Sequence, residues 1–301
     1  MSGRGLPGPV VAVVGPTAAG KSDLGIALAL ALGGEVVNAD SMQLYRGMDI
    51  GTAKVPLDER RGVPHHLLDA WEVTRAADVA SYQHDARRVI DGLLAVGRVP
   101  VLVGGSGLYL RAALDDLTFP GTDPAVRARW EEELARRGAP ALHEELARRA
   151  PRAAAAILPT NGRRLVRALE VVDLTGTFEA TLPEHHYVYD VIQIGVDRDD
   201  LDIRIEQRVE RMWQTGFPDE VRQLSDKGLR DGRTASRALG YAQLLAWLDG
   251  AMESADQAKL ATITATRRFA RRQRSWFRRD ERIVWLRQPD VTQALRLVGS
   301  L

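Results

Sequence analysis

The chain has 301 residues, a formal net charge of +1, 45% hydrophobic and 27% charged residues, and no cysteine. Such a composition suits one large α/β domain, with or without an insertion, and excludes wholesale disorder. Zero cysteine removes disulfides, Fe–S clusters, thiolate zinc sites and cysteine nucleophiles, which makes the cytoplasm the expected compartment. Residues 1–9 are rich in Gly and Pro and predict a loose tail rather than a signal peptide. Val10 to Val14 is a continuous apolar run, as in a strand buried on both faces of a parallel sheet. Gly15 breaks it, and an apolar-periodic helix opens at Lys21. Strands are expected again at 35–38, ending near Asp40, and at 99–103, closed by Gly104-Gly105, with a helix over about 78–96 between them. From about Pro120 to His185 the sequence turns Ala-, Arg- and Glu-rich, punctuated by Pro124, Pro140, Pro151, Pro159 and Pro183. A strand returns at 191–195, helices follow, and 283–286 suits a last strand. The reading is a doubly wound α/β core at 10–118 and 186–301, with a helical insertion at 119–185. No apolar run reaches the roughly 18–20 residues a membrane span needs.

The segment GPTAAGKS, comprising Gly15, Pro16, Thr17, Ala18, Ala19, Gly20, Lys21 and Ser22, fits G-x-x-x-x-G-K-S/T at every position and sits between a strand and a helix. Glycines let successive N–H groups converge on an anion. The helix N-terminus adds its dipole, Lys21 adds a point charge, and Ser22 can ligate Mg²⁺. The loop therefore reads polyphosphate. An NTPase also wants an acid closing a later apolar strand, but the run at 99–103 ends in glycines and the only strand-ending acid is Asp40. Taken as a residue type alone, Asp40 stays open between a Mg²⁺ ligand, a turn aspartate and a general base.

Eight segments in order resemble the tRNA dimethylallyltransferase (tRNA isopentenyltransferase) family: GPTAAGKS at 15–22, NADSMQLYRGMDIGTAK at 38–54, PHHLLD at 64–69, GGSGLY at 104–109, 161–170, IEQR at 205–208, RALGY at 237–241 and TRRFARRQ at 266–273. The resemblance implies a P-loop-like fold. It also implies transfer of a dimethylallyl group from dimethylallyl diphosphate to N6 of adenosine 37 of tRNA, with the loop holding the departing diphosphate and no ATP consumed. It carries the general-base role onto Asp40, diphosphate binding onto Arg208 and a substrate contact onto Ser106, where many members have Thr. Ser41, Met42 and Gln43 would meet the target base. Arg127, Arg163, Arg164, Arg167, Arg237, Gly240 and Tyr241 would contact RNA, and Ala242 stands where a basic residue is common. Asp49 and Lys54 receive no role. Arg204, Arg208 and Arg211 share a helical face opposite Leu201, Ile205, Val209 and Met212. Periodicity alone makes that Arg row a solvated face; the resemblance turns it toward the diphosphate.

Of 41 basic residues 37 are Arg, and seven fall between Arg267 and Arg279 with no acid among them. On a helical wheel Arg271, Arg274 and Arg278 lie within about 40° of Arg267, while Phe269, Trp276 and Phe277 lie opposite and are expected to anchor in the core. The Arg arc, Arg267, Arg271 and Arg274 above all, suits RNA phosphates. The six histidines show no metal-ligand spacing. The rival readings are a P-loop small-molecule or nucleoside kinase and a nucleotide-gated RNA-binding protein. The preferred expectation is a monomer taking Mg²⁺, dimethylallyl diphosphate and the anticodon stem-loop.

Overall fold

The computed structural model describes residues 9–180 and 182–299, so the tail expected at 1–9 lies, apart from Pro9, outside the described residues. The chain forms two units, Met1–Asp115 with Tyr187–Leu301, and Asp116–His186.

The first unit is built on a six-stranded parallel sheet of order β3-β2-β4-β1-β5-β6, with β1 at Val10–Val14, β2 at Glu35–Asn38, β3 at His65–His66, β4 at Pro100–Gly104, β5 at Val191–Val196 and β6 at Ile283–Leu286. The apolar runs are continuous because both faces are covered. Val10, Ala12 and Val14 point into one layer with Tyr82 and Ile90 of α2 (Val79–Ala95), Leu110 and Leu114 of α3 (Gly107–Leu114), and Phe217 and Tyr241. Val11 and Val13 point into the other, with Leu24 and Leu28 of α1 (Lys21–Leu32) and Ile205. β3 has no counterpart in the sequence reading: two histidines carry no apolar pattern, and the pair joins the edge because Val36 and Val37 offer a free ladder beside it. His66 Nε2 then meets Glu35 Oε2 at 2.6 Å.

The second unit packs α4 (Pro124–Arg149), α5 (Pro151–Ala155) and α6 (Gly162–Thr175) around Trp130, Leu142, Leu146, Leu165 and Leu169. Asp123 caps α4 through the amides of Ala125 and Val126. α4 is in fact two helices, broken at Gly138 (φ 79°, ψ 165°), two residues ahead of Pro140. The ring of Pro140 forbids an unbroken ladder through this point, and the glycine supplies the backbone angle that the turn requires.

The C-terminal half of the first unit continues with α7 (Leu201–Gln214), α8 (Phe217–Asp226), α9 (Tyr241–Leu248), α10 (Ala255–Phe277) and α11 (Val291–Gly299). No helix among the described residues is long and apolar enough to cross a membrane.

Candidate active site

The phosphate loop leaves the end of β1 between the ends of β4 and β5. Gly15 holds φ 137°, and a Cβ there would lie 2.2 Å from the Val196 carbonyl oxygen, so only glycine lets the loop cross β5 this closely. Gly20, at φ 94°, precedes α1 and offers no side chain to its first amides. Those N–H groups are the orphan donors that an anion satisfies.

Cations converge on this loop from its own lysine and from α7. Leu201, Ile205 and Val209 bury one face of α7, which leaves the Arg face turned to the loop. Arg204 Nε donates to the Ala18 carbonyl at 2.9 Å, and Arg208 Nη1 donates to Thr17 Oγ1 at 3.3 Å. Lys21 Nζ donates to the Pro16 carbonyl at 2.6 Å. Desolvation first, then the Arg208 charge, lowers the Lys21 pKa to about 7, with Asp40 acting in the opposite sense. Desolvation and the neighbouring Arg211 and Arg204 likewise lower that of Arg208, opposed by Asp23 and Asp40. Two cations held beside each other at some cost to both are what a polyanion site requires.

Asp40 belongs to the same cluster, since its charge acts on Lys21, Arg208 and Tyr82. The loop after β2 holds it firmly. Its own N–H donates to Asn38 Oδ1 at 2.9 Å, and the Met42 N–H donates to Asp40 Oδ1 at 2.9 Å. Buried Asn38 ties the loop down through the Asp40 and Leu67 carbonyls at 3.0 Å each, and the Tyr82 hydroxyl donates to the Asn38 carbonyl at 2.9 Å. Asp40 Oδ2 accepts no hydrogen bond from the described residues. Ser106 stands at the start of α3 and accepts the Ser41 N–H at 3.1 Å, its hydroxyl lying 3.2 Å from that of Ser41. Asp40, Ser41 and Ser106 are thus brought together, as are Lys21, Thr17 and Arg208. Gln43 turns away and donates to the Thr52 carbonyl at 3.1 Å, and Met42 packs against the core.

The signature segment also contains a brace that sequence reasoning missed. The amides of Asp49, Ile50 and Gly51 all donate to the Glu220 carboxylate at 2.6–3.2 Å, and the Tyr241 hydroxyl donates to Glu220 Oε1 at 2.5 Å. Lys54, assigned no role from sequence, is buried and bonds the Tyr45 carbonyl, Asp49 and Asp69 at 2.5–3.0 Å. The resemblance puts Tyr241 and Gly240 at the RNA surface. The structure corrects this: Tyr241 is wholly buried, and a Cβ on Gly240 would lie 2.5 Å from the Phe217 ring. Burial and the Glu220 carboxylate push the Tyr241 phenol well above its ordinary value, so it stays a neutral donor. Replacing Tyr241 by Phe is expected to lower stability by about 1 kcal/mol in denaturant titration and to leave RNA affinity unchanged. Arg237 does reach the surface.

The Arg arc of α10 is also more committed than expected. Arg267 pairs with Glu206 at 2.7 Å, Arg271 with Asp202 at 3.5 Å, Arg274 with Asp197 at 2.8 Å, and Arg278 with the same Asp197 at 3.0 Å. The tract has no acid of its own, and α7 with the loop before it supplies them. The Arg271–Asp202 pair is exposed on both sides and therefore weak, whereas Arg274 and Arg278 share the buried Asp197, so Arg271 is the member of the arc most open to a phosphate. Trp276, expected in the core, is 39% exposed with its indole against Gly107; Phe269 is half-buried and Phe277 buried. In the second unit, Arg167 bonds Glu170 and the Pro120 and Gly121 carbonyls at 2.7–3.1 Å, Arg127 lies 3.7 Å from Glu170, and Arg164 bonds the Ala180 carbonyl. Arg163 is exposed and unpaired among the described residues.

A phosphate loop opening a helix on a parallel sheet, joined to an arginine face and an aspartate loop with β4 ending in glycine, defines a P-loop-type α/β protein with a cationic phosphate loop. Residues 43–280 match the IPP transferase family, and the chain belongs to it. The chain is 87% identical over 288 residues to the tRNA dimethylallyltransferase of Frankia alni, covering 96% of this chain and 100% of that one. It is 64% identical over 297 residues to that of Streptomyces coelicolor, covering 97% and 95%. Among solved structures it is similar to a full-length tRNA isopentenylpyrophosphate transferase from Bacillus halodurans, with 38% identity, a TM-score of 0.71 and 97% and 95% of the two chains covered. A eukaryotic dimethylallyltransferase described as acting on tRNA shares the fold at TM-score 0.76 and 24% identity, covering 97% of this chain and 77% of that one.

Proposed function

We propose that the protein transfers a dimethylallyl group from dimethylallyl diphosphate to the exocyclic N6 of adenosine 37 of tRNA, releasing diphosphate. The observation that carries this reading is the meeting of Lys21, Arg208 and Asp40 at one loop while β4 ends in Gly104 with no aspartate. That arrangement gives a leaving-group site and a base side by side, and it does not favour a kinase.

In the reaction the allylic C–O bond breaks and negative charge grows on the diphosphate. The first amides of α1, Lys21 and Arg208 stabilise that charge where it develops. The N6 lone pair, poor because it is conjugated with the ring, attacks the allylic carbon, and Asp40 Oδ2 accepts the N6 proton as the C–N bond forms. Ser41 and Ser106 offer hydroxyls beside the base. The adenine must leave its stack to reach them. Mg²⁺ fits the same loop: Ser22 lies in the first turn of α1, its hydroxyl makes no hydrogen bond among the described residues, and the Ser or Thr at this place in a phosphate loop is suited to take Mg²⁺ beside phosphate oxygens. When bound it would add charge neutralisation at the diphosphate. In the same reading one chain in the cytoplasm suffices, because it carries every group named, and Arg237, Arg163 and the α10 arginines meet RNA phosphates.

The test is to incubate the protein with Mg²⁺, dimethylallyl diphosphate and an unmodified anticodon stem-loop, without ATP, and to weigh the RNA. The expected result is one C5H8 unit on the target adenosine. Unchanged RNA, with ATP consumed in a parallel reaction, would replace this reading with the kinase.

The depressed Lys21 pKa gives a pH dependence. Free Lys21 loses its proton near pH 7, while bound diphosphate favours the ammonium and raises that pKa. Above pH 7 the complex therefore holds more protons than the free enzyme, and affinity falls as pH rises. Calorimetry of inorganic diphosphate at pH 8 in two buffers of different ionisation enthalpy is expected to show net proton uptake, and Lys21→Met to remove most of it.

A further inference from the structure

The Thr266 to Gln273 segment ends on a residue that the proposed reaction does not use. Gln273, on α10, is buried and spans two loops. Its Oε1 accepts the Thr17 N–H at 2.9 Å, and its Nε2 donates to the Gly105 carbonyl at 2.9 Å. Thr17 belongs to the phosphate loop and receives Arg208 on its hydroxyl. Gly105 precedes Ser106, which bonds the Ser41 N–H beside Asp40. Each arm of the amide therefore ends one step from one half of the site. Gly105 shows how close the fit is: a Cβ there would lie 2.3 Å from Gln273 Nε2. Polar side chains are seldom left this far inside without such paired bonds.

We propose that Gln273 is a positioning residue that sets the distance between the diphosphate site and the aspartate loop, so that the allylic carbon is presented to N6 and not to water. It touches neither substrate. It acts through Thr17 and Arg208 on one side and through Gly105, Ser106 and Ser41 on the other. The inference rests on the proposed transfer reaction. Its chemical consequence is specific. When the C–O bond breaks with N6 misplaced, water takes the allylic carbon instead: a C–O bond to water forms, a proton goes to solvent, and the products are a dimethylallyl alcohol and diphosphate. Misplacement by about 1 Å can cost about 10²-fold in rate, so modest slackening of the bridge is enough to let water compete.

The experiment compares wild type with Gln273→Met, which keeps the length and loses both hydrogen bonds, and Gln273→Asn, which keeps the amide but is one methylene too short to reach both loops. Each is assayed at saturating dimethylallyl diphosphate and anticodon stem-loop for alkylated RNA, free alcohol and kcat, with the binding of each substrate measured separately. Both variants are expected to lose kcat by about 10²-fold, to bind each substrate within a few fold of wild type, and to raise the ratio of alcohol to alkylated RNA severalfold. If Met fails to fold, the Asn variant carries the same test. Variants that keep the wild-type product ratio, whether or not they lose stability or affinity, would reduce Gln273 to a packing residue. Wild type that alkylates no RNA would overturn the proposed function itself and not this bridge alone.

Discussion

Asp40→Ala is expected to remove most turnover while dimethylallyl diphosphate and RNA still bind. General-base assistance is worth about 10²–10⁴-fold, and the adenine N6 needs it more than most amines because its lone pair is delocalised. The carboxylate is well placed to act as that base. One oxygen is fixed by the Met42 N–H, the other takes no hydrogen bond from the described residues, and the loop is clamped by Asn38 and Tyr82. Asp40→Asn keeps the shape and the Asx turn, so it separates the loop's geometry from its basicity. It too should fall by about 10²-fold or more in single-turnover alkylation. Turnover within a few fold of wild type in both variants would leave Asp40 as a turn residue. Removing the carboxylate also takes a counter-charge from Lys21 and Arg208 and lowers the Lys21 pKa further, so diphosphate binding is compared below pH 7, where Lys21 keeps its proton and binding is expected not to weaken.

Arg208→Ala is the second large effect. A donor aimed at developing charge is worth about 10²–10³-fold in kcat, and Arg208 is held at the loop by Thr17 with Arg204 beside it. The loss should appear in kcat more than in RNA affinity, because the charge grows during C–O cleavage. Arg208→Lys is expected to recover only part of it, since an ammonium cannot present the planar fork that faces phosphate oxygens. Weaker substrate binding with kcat unchanged would make Arg208 a ground-state binder instead.

Much of the architecture was legible because the strands are continuous apolar runs, as a parallel sheet covered on both faces demands. The phosphate loop was legible because its spacing is local. Other parts were hidden for physical reasons. Strand β3 is two histidines recruited by backbone pairing, which no side-chain pattern announces. Glu220 sits on an amphipathic helix and reads as a solvated charge, yet it gathers three amides from residues 49–51, far away in sequence. The Arg tract of α10 showed no acid because its acids stand on α7 and the loop before it. Gln273 is a neutral side chain amid arginines, and only the close approach of Thr17 and Gly105 reveals it. Tyr241 stands four residues after Arg237 in a motif that resembles an RNA-contacting one, and its burial follows from packing with Phe217, 4.9 Å between ring centroids. A motif gives neighbourhood along the chain, whereas burial is decided by elements that arrive later.

In the proposed reaction the phosphate loop holds the leaving group of an alkyl transfer and not a nucleotide that is hydrolysed. The most direct measurement counts diphosphate against alkylated adenosine in one reaction that contains dimethylallyl diphosphate, Mg²⁺ and anticodon stem-loop and no nucleotide. One diphosphate per alkylated adenosine, unchanged when ATP is added, is the predicted result. Orthophosphate released from ATP, with dimethylallyl diphosphate left intact, would contradict it.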